Sequence, residues 1–363
     1  MAEHDFYEGM TVSMASIEGL PPGTAARLES IGLLDAQQFV DAVADPATAA
    51  RLAEYLEVTQ GQLREMALSA AAHLPVAFEE RREALEPLSL GAFPPTAEDE
   101  ERNLLPRLEA PPMAAALPAS VNHAAVPGQP RNQGARGTCV AFAVTAIHEF
   151  FRKTNGQAID LSEQFLYDET KKVDGFPQTC GTWQVKAAIV LKSLGQCKES
   201  TWRYNSALPC NGNGTQPGNA KADAAARKLS LRTLPKNNVN AIKAALAGGA
   251  VVGFSVPVFD SWYQNPTSRR AGRITLPLPN EAANGGHAMC LIGYEDQANV
   301  PGGGFFILRN SWFGHWGQQS PYGSGNGVIP YDYIRKHNWE ALTFCAGAQR
   351  PPAIARPRGM RQD

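Results

Sequence analysis

The sequence predicts an α+β protein in which a small all-α domain precedes a larger domain of two halves. Three observations carry this. From Leu117 the apolar residues keep helical spacing to about residue 246 and strand spacing afterwards. Helices first and strands after imply segregated halves rather than an alternating parallel sheet. Residues 1–75 form an Ala-rich, helix-punctuated stretch of their own, and the run 76–117 between them carries Pro87, Pro94, Pro95, Pro106, Pro111 and Pro112. Such proline density stops long helices and favours extended chain.

Bulk properties narrow the function. The 363 residues are 44% hydrophobic and 19% charged, with a formal net charge of -2, so neither a polyanion-binding surface nor an acidic tail is indicated. The acidic start lacks the apolar stretch of a signal peptide, and no run is long enough to span a membrane. The expectation is a cytoplasmic protein with no membrane partner, signal-less export being left open. None of the six cysteines forms a Cys-x-x-Cys pair, which argues against structural zinc. Cys197 and Cys210 flank a turn-rich loop and are spaced to bridge; a reducing compartment would keep all six as thiols.

Taken in order, Ile17 to Leu28 places Gly19, Pro21, Pro22 and Gly23 between two apolar pieces, suggesting a helix-hairpin-helix unit. Helices follow over 36–43, 46–56 and 60–73, punctuated by Asp35, Asp45-Pro46 and Thr59. Some modules of this type bind DNA. Residues 1–80, however, hold three arginines against thirteen acids, a charge of −10, and would repel phosphate. The module is therefore read as one that recruits a protein partner or regulates access to the larger domain, packing being the plainer alternative and nucleic acid disfavoured. The run 76–117 is read as a linker or, alternatively, a pro-segment lying across a cleft.

In the larger domain, 118–349, Thr138 is placed to cap a helix running from Cys139 to about Lys153, and Ser162 a second. A third helix spans 183–194, residues 205–222 are a polar loop, and a short helix covers 239–246. Strands are expected over 251–256, 288–294 and 304–310. Residues 350–363, rich in Pro and Arg, read as a disordered tail.

The chemistry concentrates at 132–143. Gln133 stands six residues before Cys139, with Gly134 and Gly137 between them and an apolar run after. A thiol at a helix start sits in the positive end of the helix dipole, which favours thiolate, and the amide of Gln133 can donate to an oxyanion. Two later motifs supply what such a thiol needs. His287, in Gly286-His287-Ala288, precedes an apolar strand; Asn310, in Asn310-Ser311-Trp312, ends one. A histidine holds a thiolate as an ion pair, an amide oxygen fixes the histidine's tautomer, and a tryptophan shields that bond from water.

Cysteine, histidine and asparagine in this order, with these flanks, resemble the papain-like cysteine proteases. Leu161-Ser162-Glu163-Gln164 and Gly327 to Tyr331 add two further blocks of similarity, and the resemblance covers about residues 118–345. It implies a two-subdomain fold with a helical half and a β-barrel-like half. It implies Cys139 as nucleophile, His287 as base and then acid, Asn310 as orienter, Gln133 as oxyanion donor and Trp312 as shield. It further implies a thiol pKa lowered to roughly 3–4, and no metal or organic cofactor. Gly181 and Thr182 stand where the family pairs with substrate backbone, and Ala288 and Trp312 flank the same site. Trp183 and Phe254 are placed in the specificity pocket, core packing being the alternative. Arg136 occupies the position where secreted members carry a cysteine, so Cys180 is left without its expected partner. No pro-helix motif of the family precedes Leu117, which speaks against its usual propeptide control.

The function so implied is a cysteine endopeptidase acting on protein or peptide through a thioester. The alternatives are a catalytically weak papain-fold binding protein and an amidase acting on a non-protein amide.

Overall fold

The computed structural model describes residues 12–74, 88–96, 104–108 and 116–345. The expected tail at 350–363 lies outside the described residues.

The first helices are set by their caps. Helices α1 (Thr24–Glu29), α2 (Ala36–Ala44), α3 (Pro46–Leu56) and α4 (Gln60–Ala71) follow one another with short turns. Asp35 caps α2 by accepting from Gln38 N, Asp45 caps α3 ahead of Pro46, and Thr59 and Gln62 form a reciprocal box at the start of α4. Leu28, Phe39, Leu52, Leu56, Leu63 and Met66 bury the faces so formed.

Next comes the short strand β1 (Ser120–Asn122), then a helical half of α5 (Cys139–Thr154), α6 (Glu163–Lys171), α7 (Gln184–Ser193) and α8 (Ala220–Ala225). Ser162 caps α6 through Phe165 N, as expected; Thr138 makes no side-chain cap on α5 and instead bonds Tyr204 Oη at 2.7 Å. The Cys197–Cys210 bridge is not formed. Cys210 pairs with Cys180, which the sequence left without a partner, and Cys197 is a buried thiol. Folding brings the 205–214 loop over the Cys180 turn, a proximity that spacing along the chain does not reveal. Arg136 reaches the same loop: its guanidinium is buried 4.5 Å over the Tyr167 ring, donates to Gln164 Oε1 at 3.0 Å and bonds Asn213.

The second half is built on β2 (Arg232–Thr233), α9 (Val239–Ala247), β3 (Val252–Val258), α10 (Asp260–Tyr263), α11 (Pro266–Ala271), β4 (Gly285–Asp296), β5 (Gly304–Arg309), β6 (Asn326–Pro330), α12 (Tyr331–His337) and β7 (Glu340–Thr343). The described strands join one antiparallel sheet in the order β2-β7-β3-β4-β5-β6, with β1 added on β4. The fold is thus α+β in two halves after a small helical region. Val256 pairs with His287 and Cys290 with Arg309. Adjacent strands therefore deliver His287 near the start of β4 and Asn310 just past the end of β5, while α5 packs on the sheet with Cys139 at its first turn.

The helical module is packed on this second half. Asp35 is buried against Arg273 as an ion pair. Around it Gln38 Nε2 donates to Ser268 Oγ at 3.1 Å, Asn265 Nδ2 to the Gln38 carbonyl at 2.9 Å, and Leu276 N to the Ile31 carbonyl at 2.9 Å.

Candidate active site

His287 Nε2 lies 2.8 Å from Asn310 Oδ1, and both residues are buried. The Trp312 ring stacks on the imidazole with centroids 3.9 Å apart and planes 13° from parallel. The other ring nitrogen, Nδ1, is buried and has no hydrogen-bond partner among the described residues. Since an amide oxygen only accepts, the bond fixes the proton of a neutral imidazole on Nε2 and leaves Nδ1 as a base. Burial pushes the His287 pKa down to about 3, against the raising pull of Asn310.

Cys139 opens α5 and is fully buried. Here the expectation of a low thiol pKa is corrected. Desolvation pushes it up to about 12, although backbone N–H groups of Ala288, Gly91 and Val140 pull the other way. The helix terminus and the amides favour thiolate, but removal from water outweighs them.

What buries Cys139 is the chain's own segment 88–96. Gly91 N and Ala92 N donate to the Gly286 carbonyl at 3.0 and 2.9 Å. Phe93 N donates to the Thr182 carbonyl at 3.0 Å and Thr182 N to the Gly91 carbonyl at 3.1 Å, a parallel bridge centred on Ala92. The fit is tight: a Cβ on Gly91 would lie 2.1 Å from the Gly137 carbonyl oxygen. Upstream, Tyr263 Oη accepts from Leu88 N at 2.7 Å and donates to the Leu88 carbonyl at 2.6 Å. The absence of a recognisable pro-helix motif therefore did not predict an open cleft. Backbone hydrogen bonds carry most of this docking, and they leave little trace in residue identity.

Gln133 is held by Ser311 Oγ, which donates to its Oε1 at 2.6 Å, and its Nε2 donates to the carbonyls of Ser89 and Arg136 at 3.0 and 2.9 Å. The Ser89 carbonyl thus takes the amide N–H expected to serve an oxyanion, and Trp312 Nε1 donates to the same oxygen at 3.2 Å.

The expected substrate-side residues divide. Gly181, Thr182 and Trp183 meet segment 88–96: Gly181 lies against the Phe93 ring, Thr182 pairs with the backbone, and Trp183 Nε1 donates to the Pro94 carbonyl at 2.7 Å. Ala288 and Trp312 adjoin the catalytic pair. Phe254 does not belong to the cleft. It is fully buried in the apolar core of the second half, on the opposite face of β3 from Ser255, which bonds Glu340; side chains alternate along a strand, and parity puts Phe254 inward. Phe93, Phe176 and Tyr204 had no sequence signal. Ser311 had one, its place between Asn310 and Trp312. His148, on the same helix as Cys139, lies outside this group: it is buried, and its Nδ1 meets Gln196 Oε1 at 3.0 Å.

Comparison with known proteins agrees with this geometry. The pattern of the papain family of cysteine proteases matches residues 117–323. Among curated proteins, an uncharacterised peptidase C1-like protein of Acanthamoeba polyphaga mimivirus is 24% identical over 218 residues, 57% of this chain and 66% of that protein. Cathepsin F of Mus musculus is 28% identical over 196 residues, 53% of this chain but 38% of its own length. The chain thus spans less than two thirds of these relatives. Among solved structures, xylellain, a cysteine protease from Xylella fastidiosa, superposes with a TM-score of 0.61 at 26% identity, covering 72% of this chain and 98% of that one. Procathepsin L 3 of the Tenebrio molitor larval midgut shares the fold with a TM-score of 0.51 at 18% identity, over 89% of this chain and 92% of that one. The chain belongs to the papain family of cysteine proteases.

Proposed function

We propose that this protein is a cysteine endopeptidase held in a self-blocked state by residues 88–96. The observation that carries the chemistry is the His287–Asn310 bond beneath the Trp312 ring, with Nδ1 left as a base beside the first turn of α5. When the blocking segment leaves, water returns, desolvation of Cys139 and His287 falls, and a thiolate–imidazolium pair becomes the favoured state. The thiolate attacks the scissile carbonyl. Gln133 Nε2, released from Ser89, and the Cys139 backbone N–H receive the tetrahedral oxygen. His287 gives its proton to the leaving amine, and a thioester remains on Cys139. Water then attacks with His287 as base, and the acid product departs. No step calls on a metal or organic cofactor.

The substrate is read as protein or peptide, because Thr182 and Gly286 already pair with peptide backbone in the cleft. The module is read as the anchor of the blocking segment: it docks on α11, whose Thr267 N donates to Asp41 Oδ2 at 2.8 Å, and α10 next to α11 carries Tyr263, which grips Leu88. Its negative charge supports a protein surface over nucleic acid.

The test is cleavage of a peptide library by the full chain and by a Gly91→Glu chain, whose side chain cannot fit against Gly137. We expect the full chain to be slow, the variant to be active, and Cys139→Ala or His287→Ala in that background to lower kcat/KM by about 10²–10⁴-fold. Equal activity of the full chain and the Gly91→Glu chain would discard the self-blocking. Peptide turnover that survives Cys139→Ala would discard the nucleophile.

A further inference from the structure

The walls of the cleft differ sharply in what they admit. Phe93 stands edge-on to Phe176 and Trp183, with ring centroids at 5.9 and 5.8 Å, and these two rings meet each other at 5.1 Å. The floor is Gly181, where a Cβ would lie 2.2 Å from the Phe93 ring. Three edge-to-face contacts around a floor without a side chain make a slot the thickness of an aromatic ring. Phe176 remains 44% exposed, so the slot opens to solvent on that side.

One residue away the space is shut. At Gly286 a Cβ would meet the Trp339 ring at 2.3 Å and the Ala92 carbonyl oxygen at 2.3 Å. The backbone N–H of Trp339 donates to the Ser255 carbonyl at 2.8 Å, which places the main chain from which the ring projects. Beneath it Glu340 ties the two halves together, accepting from Gln184 N and Val185 N at 3.1 Å and from Ser255 Oγ at 3.0 Å. The residue seated there is Ala92, itself buried.

We infer that the cleft selects a peptide carrying an aromatic residue in the Phe176–Trp183 slot next to a residue no larger than alanine against Gly286 and Trp339. The inference rests on the peptidase reading of the same cleft and names its substrate class. The walls are side chains, so they recognise the shape of a ring and of a methyl group whichever way the peptide runs. The Trp339 ring and the Ala92 carbonyl leave no room even for a Cβ at Gly286, and the residue the chain itself seats there is a buried alanine.

Alkylation of Cys139 by iodoacetamide, followed by peptide mapping on the full chain, tests this without requiring turnover. Removing the ring should unseat the segment: Phe93→Ala is expected to speed labelling by about 10–100-fold. Phe93→Trp should stay within about threefold of the parent, since an aromatic ring still fills the slot. Phe93→Leu keeps an apolar side chain and guards against misfolding, and should label faster than Phe93→Trp. Ala92→Leu should also speed labelling, and Trp339→Ala in the same chain should slow it again. Added heptapeptide Leu-Ser-Leu-Gly-Ala-Phe-Pro should protect Cys139 in the Phe93→Ala chain at least tenfold better than the same peptide with Ala for Phe. Equal labelling of the Phe93→Leu and Phe93→Trp chains, or equal protection by the two peptides, would overturn the aromatic slot. Labelling of Ala92→Leu at the parent rate would overturn the small subsite. Ring-dependent protection in a chain that hydrolyses no peptide would support the slot while sinking the peptidase reading.

Discussion

At the scale of single residues, burial holds the Cys139–His287 centre in its uncharged form. The pKa of His287, lowered to about 3, lies below that of free histidine, about 6.5. A depressed histidine stabilises the state that buries it above pH 6.5, and that contribution is lost as pH falls toward 3. In the parent chain the proton that His287 gains on opening comes from Cys139, so opening takes up none; in a Cys139→Ala chain it must come from solvent, and acid then favours the open state. We expect hydrogen exchange at the Gly91 and Ala92 amides of the Cys139→Ala chain, corrected for the intrinsic rate, to speed up as pH falls from about 6.5 toward about 4. Protection that does not change with pH in that chain would show that His287 does not govern opening. Cys139, His287 and Asn310 were legible in the sequence because each sits in a short motif whose chemistry is local. Phe254 was not, because only the register of β3 decides which face it takes. Ser89 contributes a carbonyl, which every residue has, so its identity carries no signal.

Among the elements, α2 and the loop after α11 meet through Asp35 and Arg273. Burial raises the Asp35 pKa while Arg273 opposes it. Removing one partner strands a buried charge, so Arg273→Met should cost about 3–5 kcal/mol, whereas Arg273→Met with Asp35→Leu should restore most of that. Chemical denaturation of the full chain checks the cycle; additive losses would show that the pair does not hold the module. Helices α2, α3 and α4 were legible because Asp35, Asp45 and Thr59 announce their starts. Strand β2, two residues long, offers no period to detect and exists because β7 lies beside it. The Cys180–Cys210 bridge was illegible for the same reason: it depends on the 205–214 loop folding back, which Arg136 and Asn213 help to fix.

For the molecule as a whole, the order of helices then strands reveals two halves, and the proline run reveals extended chain. Neither reveals that the extended chain fills the cleft between the halves, because Gly91, Ala92 and Phe93 find their partners only once Thr182 and Gly286 are already in place. The blocking segment is also fastened beyond both its ends. Upstream, the helical module docks beside α10 and α11. Downstream, Leu108 N donates to the Thr233 carbonyl at 2.8 Å, and Thr233 N to the Pro106 carbonyl at 3.1 Å, extending the sheet at β2. A segment that belongs to the same chain as the cleft competes at an effective local concentration that dilution does not change. A substrate must outcompete that concentration, and a single cut on either flank still leaves the segment tied to the cleft from the other side. Blocking should therefore be independent of protein concentration, and full release should require both fastenings to yield.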